Sequence, residues 1–89
     1  MIKMLPRVFE PTEEQIKEAE TWPIWQKEAS EFPYDYGEEE TFYVVEGKAQ
    51  VTTDKGTVEF GKGDVVIMPR GMHCTWKIIE PIKKHYKFG

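Results

Sequence analysis

The sequence predicts an all-β protein that carries one short helix near its N-terminus. After Pro23 the apolar residues alternate with polar ones, which is the pattern of strands with one buried face. Turn signals rich in glycine and proline separate these segments at short, even spacing. Such a series is typical of a β-sandwich or a β-barrel and not of alternating βαβ units. The predicted strands are Ile24–Ala29, Phe32–Tyr36, Thr41–Glu46, Ala49–Thr53, Thr57–Phe60, Asp64–Met68, Cys74–Ile79 and Ile82–Phe88.

Five turn signals mark the points at which one strand is expected to end and the next to begin. Asp54-Lys55-Gly56 has the composition of a tight hairpin loop, because glycine adopts backbone angles that other residues avoid. The other four signals are also rich in glycine, proline or charged residues, as turns are. They are Glu46-Gly47-Lys48, Gly61-Lys62-Gly63, Pro69-Arg70-Gly71 and Glu80-Pro81.

The first part of the chain is predicted to hold an edge strand and the helix. Residues 2–9 fit an edge strand, since Pro6 has no N–H to donate to a central ladder. Thr12 and Gln15 fit a helix N-cap and capping box, and Pro23 disfavours helix before it, so the helix is predicted over 12–21. A chain of 89 residues suffices for one core. Residues 1–89 are therefore predicted to form one domain, with the strand and helix in 1–22 and the barrel in 24–88.

Composition excludes several classes of partner. The net charge is −4 and no basic stripe interleaves with aromatic residues, so nucleic acid is not expected. Cys74 is the only cysteine, which excludes an internal disulfide and argues against a small secreted domain. No segment is apolar and long enough for a signal peptide or a membrane span, so a cytoplasmic protein without a membrane partner is predicted. A homodimer is predicted, with the 1–9 segment adding to a neighbour's sheet.

Two stretches of the sequence resemble the paired motifs of the cupin superfamily. From Glu40 to Gly47 the chain fits the second half of the first motif, with Glu40 at the position of a metal-binding glutamate. From Gly63 to Gly71 the residues GDVVIMPRG fit the first half of the second motif. The lead-in WPIW and the ending WKIIEPIKKHY are similar to a compact subgroup related to the ureidoglycine aminohydrolase cupin domain and to ethanolamine-utilisation cupins. The resemblance implies a small cupin-type jelly-roll β-barrel.

The same resemblance implies a metal site whose ligands this chain mostly replaces. The two histidine positions of the first motif fall on Tyr34 and Tyr36, and the histidine position of the second motif falls on Cys74. Of the four ligand positions in the family pattern, only that of Glu40 holds the same residue type. The aminohydrolase of the subgroup uses the full ligand set, so its activity is not expected here. Glu40 and Cys74 are the candidate ligands for a possible divalent metal ion, and no other cofactor is implied.

Strand alternation indicates which side chains share the barrel interior, because successive side chains on a strand point to opposite faces. If Glu40 faces inward, Phe42 does too. If Cys74 faces inward, Trp76 also faces inward and His73 faces outward. The result is an aromatic cup with one acid and one thiol, as expected for a mostly apolar ligand site. The predicted ligand-binding residues are Tyr34, Tyr36, Glu40, Phe42, Cys74, Trp76, Lys84 and Tyr86.

Each candidate residue has a structural interpretation beside its functional one. Glu40 is interpreted as an inward carboxylate, and the alternative is a surface acid, since glutamate is rarely buried unless paired. Cys74 is either a metal ligand or reactive thiol, or a small buried hydrophobe. Tyr34 and Tyr36 either contact a ligand or belong to the core. His85 lies on the opposite strand face from the pocket, so a metal site that joins it to Cys74 is not expected.

Three functions follow from these observations. The favoured one is a cupin-domain protein that binds a small polar metabolite in the aromatic pocket around Glu40. The second is a small-molecule enzyme with Glu40 as a catalytic general acid or base, helped by a weakly held divalent metal. The third is a structural or accessory barrel with a vestigial site. The sequence leaves open whether the protein is an enzyme, because a fold does not fix a function.

Overall fold

The strands and the helix were located in a computed structural model of the protein, which describes residues 5–89. Within residues 5–89, seven strands and one helix follow one another, and all strand pairs are antiparallel. This confirms the all-β prediction with one short helix. Residues 2–4 of the predicted edge strand lie outside the described residues. The elements are β1 (Arg7–Phe9), α1 (Glu13–Ala19), β2 (Ile24–Lys27), β3 (Ser30–Asp35), β4 (Glu40–Thr53), β5 (Gly56–Gly61), β6 (Val65–Met68) and β7 (His73–Phe88).

Two long strands, β4 and β7, organise the sheet. They have 14 and 16 residues, and they pair with each other along most of their length. β4 also pairs with β5 and β6, and β7 also pairs with β2 and β3. Because each long strand changes neighbours along its length, the sheet curls into the small barrel that the sequence predicts. Phe42, Phe60 and Trp76 meet at its centre with ring centroids 5.4–5.7 Å apart.

Two of the predicted turns are bends within continuous strands. β4 runs through Gly47 and β7 runs through Pro81, so the predicted strand ends at both points are wrong. The β4–β7 register shifts between Val44 and Ala49, and Pro81 has no cross-strand partner in the ladders of β7. A proline is tolerated where no ladder bond is required of it. Gly47 has φ of +93°, and a Cβ there would lie 2.7 Å from the Cα of Ile82. The two signals therefore form one tight corner where both strands bend together.

Helix α1 has the predicted capping box. The Gln15 backbone N–H donates to Thr12 Oγ1 at 3.2 Å, and the Thr12 N–H donates to Gln15 Oε1 at 2.9 Å. The helix ends at Ala19, two residues before the predicted end, because the next bonds are of the tighter i→i−3 kind, such as Thr21 N–H to Glu18 O at 3.0 Å. Within residues 5–89 no helix is long and apolar enough to cross a membrane.

The hairpin at residues 54–56 is confirmed. Thr53 pairs with Gly56 across a two-residue loop, and Gly56 has φ of +136°. At the N-terminal end, β1 pairs with β6 of its own chain, with Phe9 opposite Val65. Residues 7–9 thus complete their own sheet in this structure, and the homodimer stays a prediction.

Candidate functional site

A cavity of about 160 Å³ opens to solvent between β2, β3, β4 and β7. Six of the eight predicted ligand-binding residues line it, together with three aromatic residues outside that prediction. Phe42 and Cys74 do not line it: Phe42 lies fully buried beneath it, and Cys74 is turned towards the backbone of β3. The lining residues are Trp25, Phe32, Tyr34, Tyr36, Glu40, Trp76, Lys84, Tyr86 and Phe88.

A buried ion pair between Glu40 and Lys84 lines this cavity. Lys84 Nζ donates to Glu40 Oε2 at 2.9 Å, and both side chains are only 5% exposed. The two residues are not opposite each other on β4 and β7, since Glu40 faces Phe88 and Lys84 faces Val44. The lysine chain therefore crosses the face of Phe42 to reach the carboxylate, and its Nζ lies 3.9 Å from the centroid of that ring.

Aromatic rings surround the Lys84 ammonium group. Its Nζ lies 4.8 Å from the centroid of Trp76 and 4.9 Å from that of Trp25, in addition to Phe42. Ring faces attract a cation, and the attraction increases where water is excluded. Burial lowers the pKa of Lys84, and the charge of Glu40 and its hydrogen bond oppose that shift. The site thus combines one carboxylate and one amine in largely apolar surroundings.

Tyr36 and Trp76 form the polar floor of the cavity beside the ion pair. The Trp76 indole Nε1–H donates to Tyr36 Oη at 3.1 Å, and both residues are buried. Tyr34, which is 40% exposed, packs edge-on against Tyr36 with ring centroids 4.6 Å apart. Burial, reinforced by the Glu40 carboxylate, raises the pKa of Tyr36 well above its ordinary value, and that of Tyr34 is raised for the same reasons. Both hydroxyls are therefore neutral hydrogen-bonding groups at physiological pH.

Cys74 lies on β7 opposite Tyr34 and points into the protein. Its Sγ donates a weak hydrogen bond to the Tyr34 carbonyl oxygen at 3.4 Å. Burial, together with the carboxylates of Asp35 and Glu40, raises the pKa of the thiol to about 11. A thiol with so high a pKa is a poor nucleophile at neutral pH, because the thiolate is the reactive form. The geometry favours the interpretation of Cys74 as a small buried hydrophobe.

We expect Cys74 to resist thiol reagents in the folded protein. Burial raises the thiol pKa to about 11, which leaves roughly a hundredfold less thiolate at pH 8. A more basic thiolate is intrinsically more nucleophilic, so we expect the reaction with a chromogenic disulfide reagent to be slowed by at least about tenfold. The chain has one cysteine, so the chromophore that the disulfide reagent releases on reaction with a thiol reports on Cys74 alone. The same protein in denaturant is the control and reacts at the rate of a free thiol. Equal rates in the two conditions would contradict the buried, protonated thiol.

The two histidines lie outside the cavity, on the faces that strand alternation assigns to them. His73 Nδ1 is 2.7 Å from Asp35 Oδ1, and both side chains are largely exposed. His85 Nδ1 is 2.9 Å from the Trp22 carbonyl oxygen. Neither histidine lines the cavity that holds Glu40.

Three lining residues were not among the predicted site residues: Trp25, Phe32 and Phe88. Two of them carry a signal in the sequence. Phe32 has the same strand parity as Tyr34, and Phe88 has the same parity as Lys84, so alternation assigns both to the cavity face. Trp25 enters because β2 pairs with β7 and sets Trp25 opposite Lys84. That contact depends on strand order, which alternation does not reveal.

Comparison with known proteins identifies the family to which the chain belongs. The EutQ-like cupin domain matches residues 14–86. The chain belongs to this cupin family. A crystal structure of a DUF861 family protein from Thermotoga maritima is similar to this cupin over 96% of the chain and 100% of that protein, with 45% identity and a TM-score of 0.91. The predicted cupin resemblance and jelly-roll barrel are confirmed.

More distant cupins share the fold. The Clostridium difficile EutQ protein is 17% identical, with a TM-score of 0.68 over 73% of this chain and 52% of that one. A putative ethanolamine utilization protein Q from Salmonella typhimurium is 20% identical, with a TM-score of 0.67 over 93% and 68%. Identities this low show the fold alone. No functionally curated protein matches the sequence.

The side chains of this cupin do not fit the metal ion that the family pattern implies. Of the four ligand positions, two hold tyrosines in place of histidines. A third holds Cys74, which does not line the cavity and donates its S–H to the Tyr34 carbonyl oxygen. The remaining ligand, Glu40, is neutralised by Lys84 at 2.9 Å. Among residues 5–89, no three His, Cys, Asp or Glu side chains are grouped as a metal would require.

Proposed function

We propose that this cupin binds a compact, uncharged polar molecule in the aromatic cavity, in contact with the Glu40–Lys84 pair. The observation that carries the proposal is the ion pair itself, which is buried and yet lines an open cavity. Removing two charges from water costs several kcal/mol per ion, and apolar residues in their place are often at least as stable. A charged pair at this position is therefore better explained by recognition than by stability.

The cavity limits the size of the ligand. Its volume of about 160 Å³ is smaller than the roughly 300–1,000 Å³ of pockets for drug-sized molecules. Tyr34 and Phe88 are the most exposed of its lining residues, at 40% and 42%. Aromatic side walls favour a ligand with a flat or apolar portion. Small metabolites of a few non-hydrogen atoms meet these conditions.

The ion pair limits the chemistry of the ligand. Glu40 and Lys84 cancel each other's charge, so the pair has no net charge with which to attract an anionic or cationic ligand. Lys84 Nζ carries three N–H donors, and Glu40 is its hydrogen-bond acceptor among the described residues. Aromatic ring faces, which are weak acceptors, lie near the other two donors, and a ligand oxygen would be a stronger acceptor for them. A hydroxyl, carbonyl or amide group is the expected polar part of the ligand.

The binding proposal is tested by a ligand screen on wild-type protein and two variants. We expect ligand-observed NMR to detect millimolar or tighter binding of small neutral oxygen-containing metabolites. Tyr34→Ala is expected to weaken binding about two- to tenfold, since one aromatic contact is worth about 0.5–1.5 kcal/mol. Ile79→Ala is the matched control, because Ile79 is 39% exposed and does not line the cavity. Equal binding by both variants, or no binding from the whole panel, would refute the proposal.

A further inference from the structure

We infer that Lys84 captures a small uncharged aldehyde or ketone as a covalent imine. This inference rests on the proposed function, because it uses the same cavity and the same ion pair. The Lys84 amine lines the cavity, and the Glu40 carboxylate lies 2.9 Å from it. Imine formation needs a nucleophilic amine and a group that moves protons beside it. This pair supplies both at one point.

Exclusion of water around Lys84 favours its neutral amine, against the attraction of Glu40 and the ring faces for its ammonium form. Its side chain is 5% exposed, and Phe42, Trp25 and Trp76 lie around the nitrogen. A lysine held in apolar surroundings loses the hydration that stabilises its ammonium form, which is how proteins prepare lysines for Schiff-base chemistry. The exposed lysines of the chain lack such an enclosure: Lys48 and Lys87, for example, are 45% and 49% exposed.

The proton balance closes within the ion pair. Glu40 first accepts a proton from the Lys84 ammonium group, and the free amine adds to the carbonyl carbon. One proton then moves from the Lys84 nitrogen to the carbonyl oxygen, which gives a neutral carbinolamine. Glu40 then returns that proton to the carbinolamine hydroxyl, the C–O bond breaks, and water leaves. The product is a protonated imine on Lys84 beside an ionised Glu40, so the total charge is the same before and after. No oxidant, reductant or metal takes part in these steps.

The lining of the cavity selects among carbonyl compounds. Lys84 is the only lysine, arginine or histidine among its described lining residues. A keto acid would need a second cation to hold its carboxylate once Lys84 has reacted, and it would face the Glu40 charge. An uncharged aldehyde or ketone avoids both problems. The aromatic walls suit a short alkyl or aryl substituent.

The inference is tested with propionaldehyde and sodium cyanoborohydride, which adds hydride to an imine and makes it permanent. At limiting aldehyde, peptide mapping is expected to find the propyl group on Lys84 at least about tenfold more often than on Lys83 or Lys87, because only Lys84 is enclosed. The same protein in denaturant should lose that preference. Lys84→Arg keeps a charge for Glu40 but forms no imine. It should lose the selective label, while Lys83→Arg, the neighbour control, should keep it.

A second probe separates failure of this inference from failure of the binding proposal. Propionamide has nearly the shape of propionaldehyde but forms no imine with lysine. If NMR detects propionamide in the cavity and the folded protein is labelled on surface lysines only, the covalent inference is overturned and the binding proposal stands. If neither propionamide binding nor selective labelling occurs, both are overturned for this class of ligand. Selective labelling of Lys84 supports both.

Discussion

Lys84→Met is expected to destabilise this cupin by about 3–5 kcal/mol, the usual cost of leaving one ion of a buried pair without its partner. Methionine has nearly the length of lysine and fills the space between Phe42 and Trp76. The loss then arises from the Glu40 carboxylate, which is 5% exposed and would have no cation beside it. Domains of this kind have about 5–15 kcal/mol of total stability. The variant is therefore expected to lose a large part of it.

Urea or thermal unfolding measures this loss. For a domain of this size each kcal/mol lowers Tm by about 4–8 °C, so a fall of roughly 12–40 °C is expected. Lys77→Met is the matched control: Lys77 lies on the same strand, is exposed, and should change stability by no more than about 0.5 kcal/mol. If the two variants were equally stable, the Glu40–Lys84 pair would not exist as the structure describes it.

The double variant Glu40→Leu/Lys84→Met measures what the whole ion pair contributes to the free energy of unfolding. Each single variant measures instead the cost of leaving one buried charge without its partner. Each single change leaves one buried charge alone, whereas the double change leaves none. Replacing a whole buried pair by apolar residues is often neutral or stabilising by about 1–4 kcal/mol. The double variant is therefore expected to be at least as stable as wild type and to have no ligand binding. A loss equal to the sum of the two single losses would mean that the residues are not coupled.

The features that the sequence predicts correctly are local ones. The hairpin at Asp54-Lys55-Gly56 and the capping box of Thr12 and Gln15 each depend on residues within four positions of one another. Alternation along a strand is also local. It correctly assigns Glu40 and Trp76 to the interior, because a strand with one buried face fixes the side of every second residue.

The features that the sequence misses depend on which strands become neighbours. Trp25 reaches Lys84 because β2 pairs with the second half of β7, and Phe32 stacks on Trp76 because β3 pairs with the first half. The Glu40–Lys84 contact crosses the register of β4 and β7 and depends on the length of the lysine side chain. Alternation places residues on a face but does not say which residues of different strands will touch.

Gly47→Ala is expected to cost about 2–5 kcal/mol or to prevent folding. A Cβ at this position would overlap the Pro81 carbonyl oxygen and lie 2.7 Å from the Ile82 Cα, and both atoms belong to the backbone of β7. Overpacking of this kind costs about 1–3 kcal/mol. Gly47 also has φ of +93°, which adds about 1–2 kcal/mol for a residue with a side chain. The corner where β4 and β7 bend together thus requires glycine for two separate reasons.

Two other glycines separate these reasons. A Cβ added at Gly56 would have no atom within 4 Å, but Gly56 has φ of +136°. Gly56→Ala should therefore lose only the stability that the unfavourable backbone conformation costs. Gly37→Ala has neither problem and should be neutral or more stable by about 0.4–1 kcal/mol, because alanine restricts the unfolded chain. Unfolding free energies should therefore rank Gly47→Ala below Gly56→Ala, and Gly56→Ala below Gly37→Ala. If Gly47→Ala and Gly56→Ala lost the same stability, close approach to β7 would not be what requires glycine, and the shared corner would have to be held by backbone conformation alone.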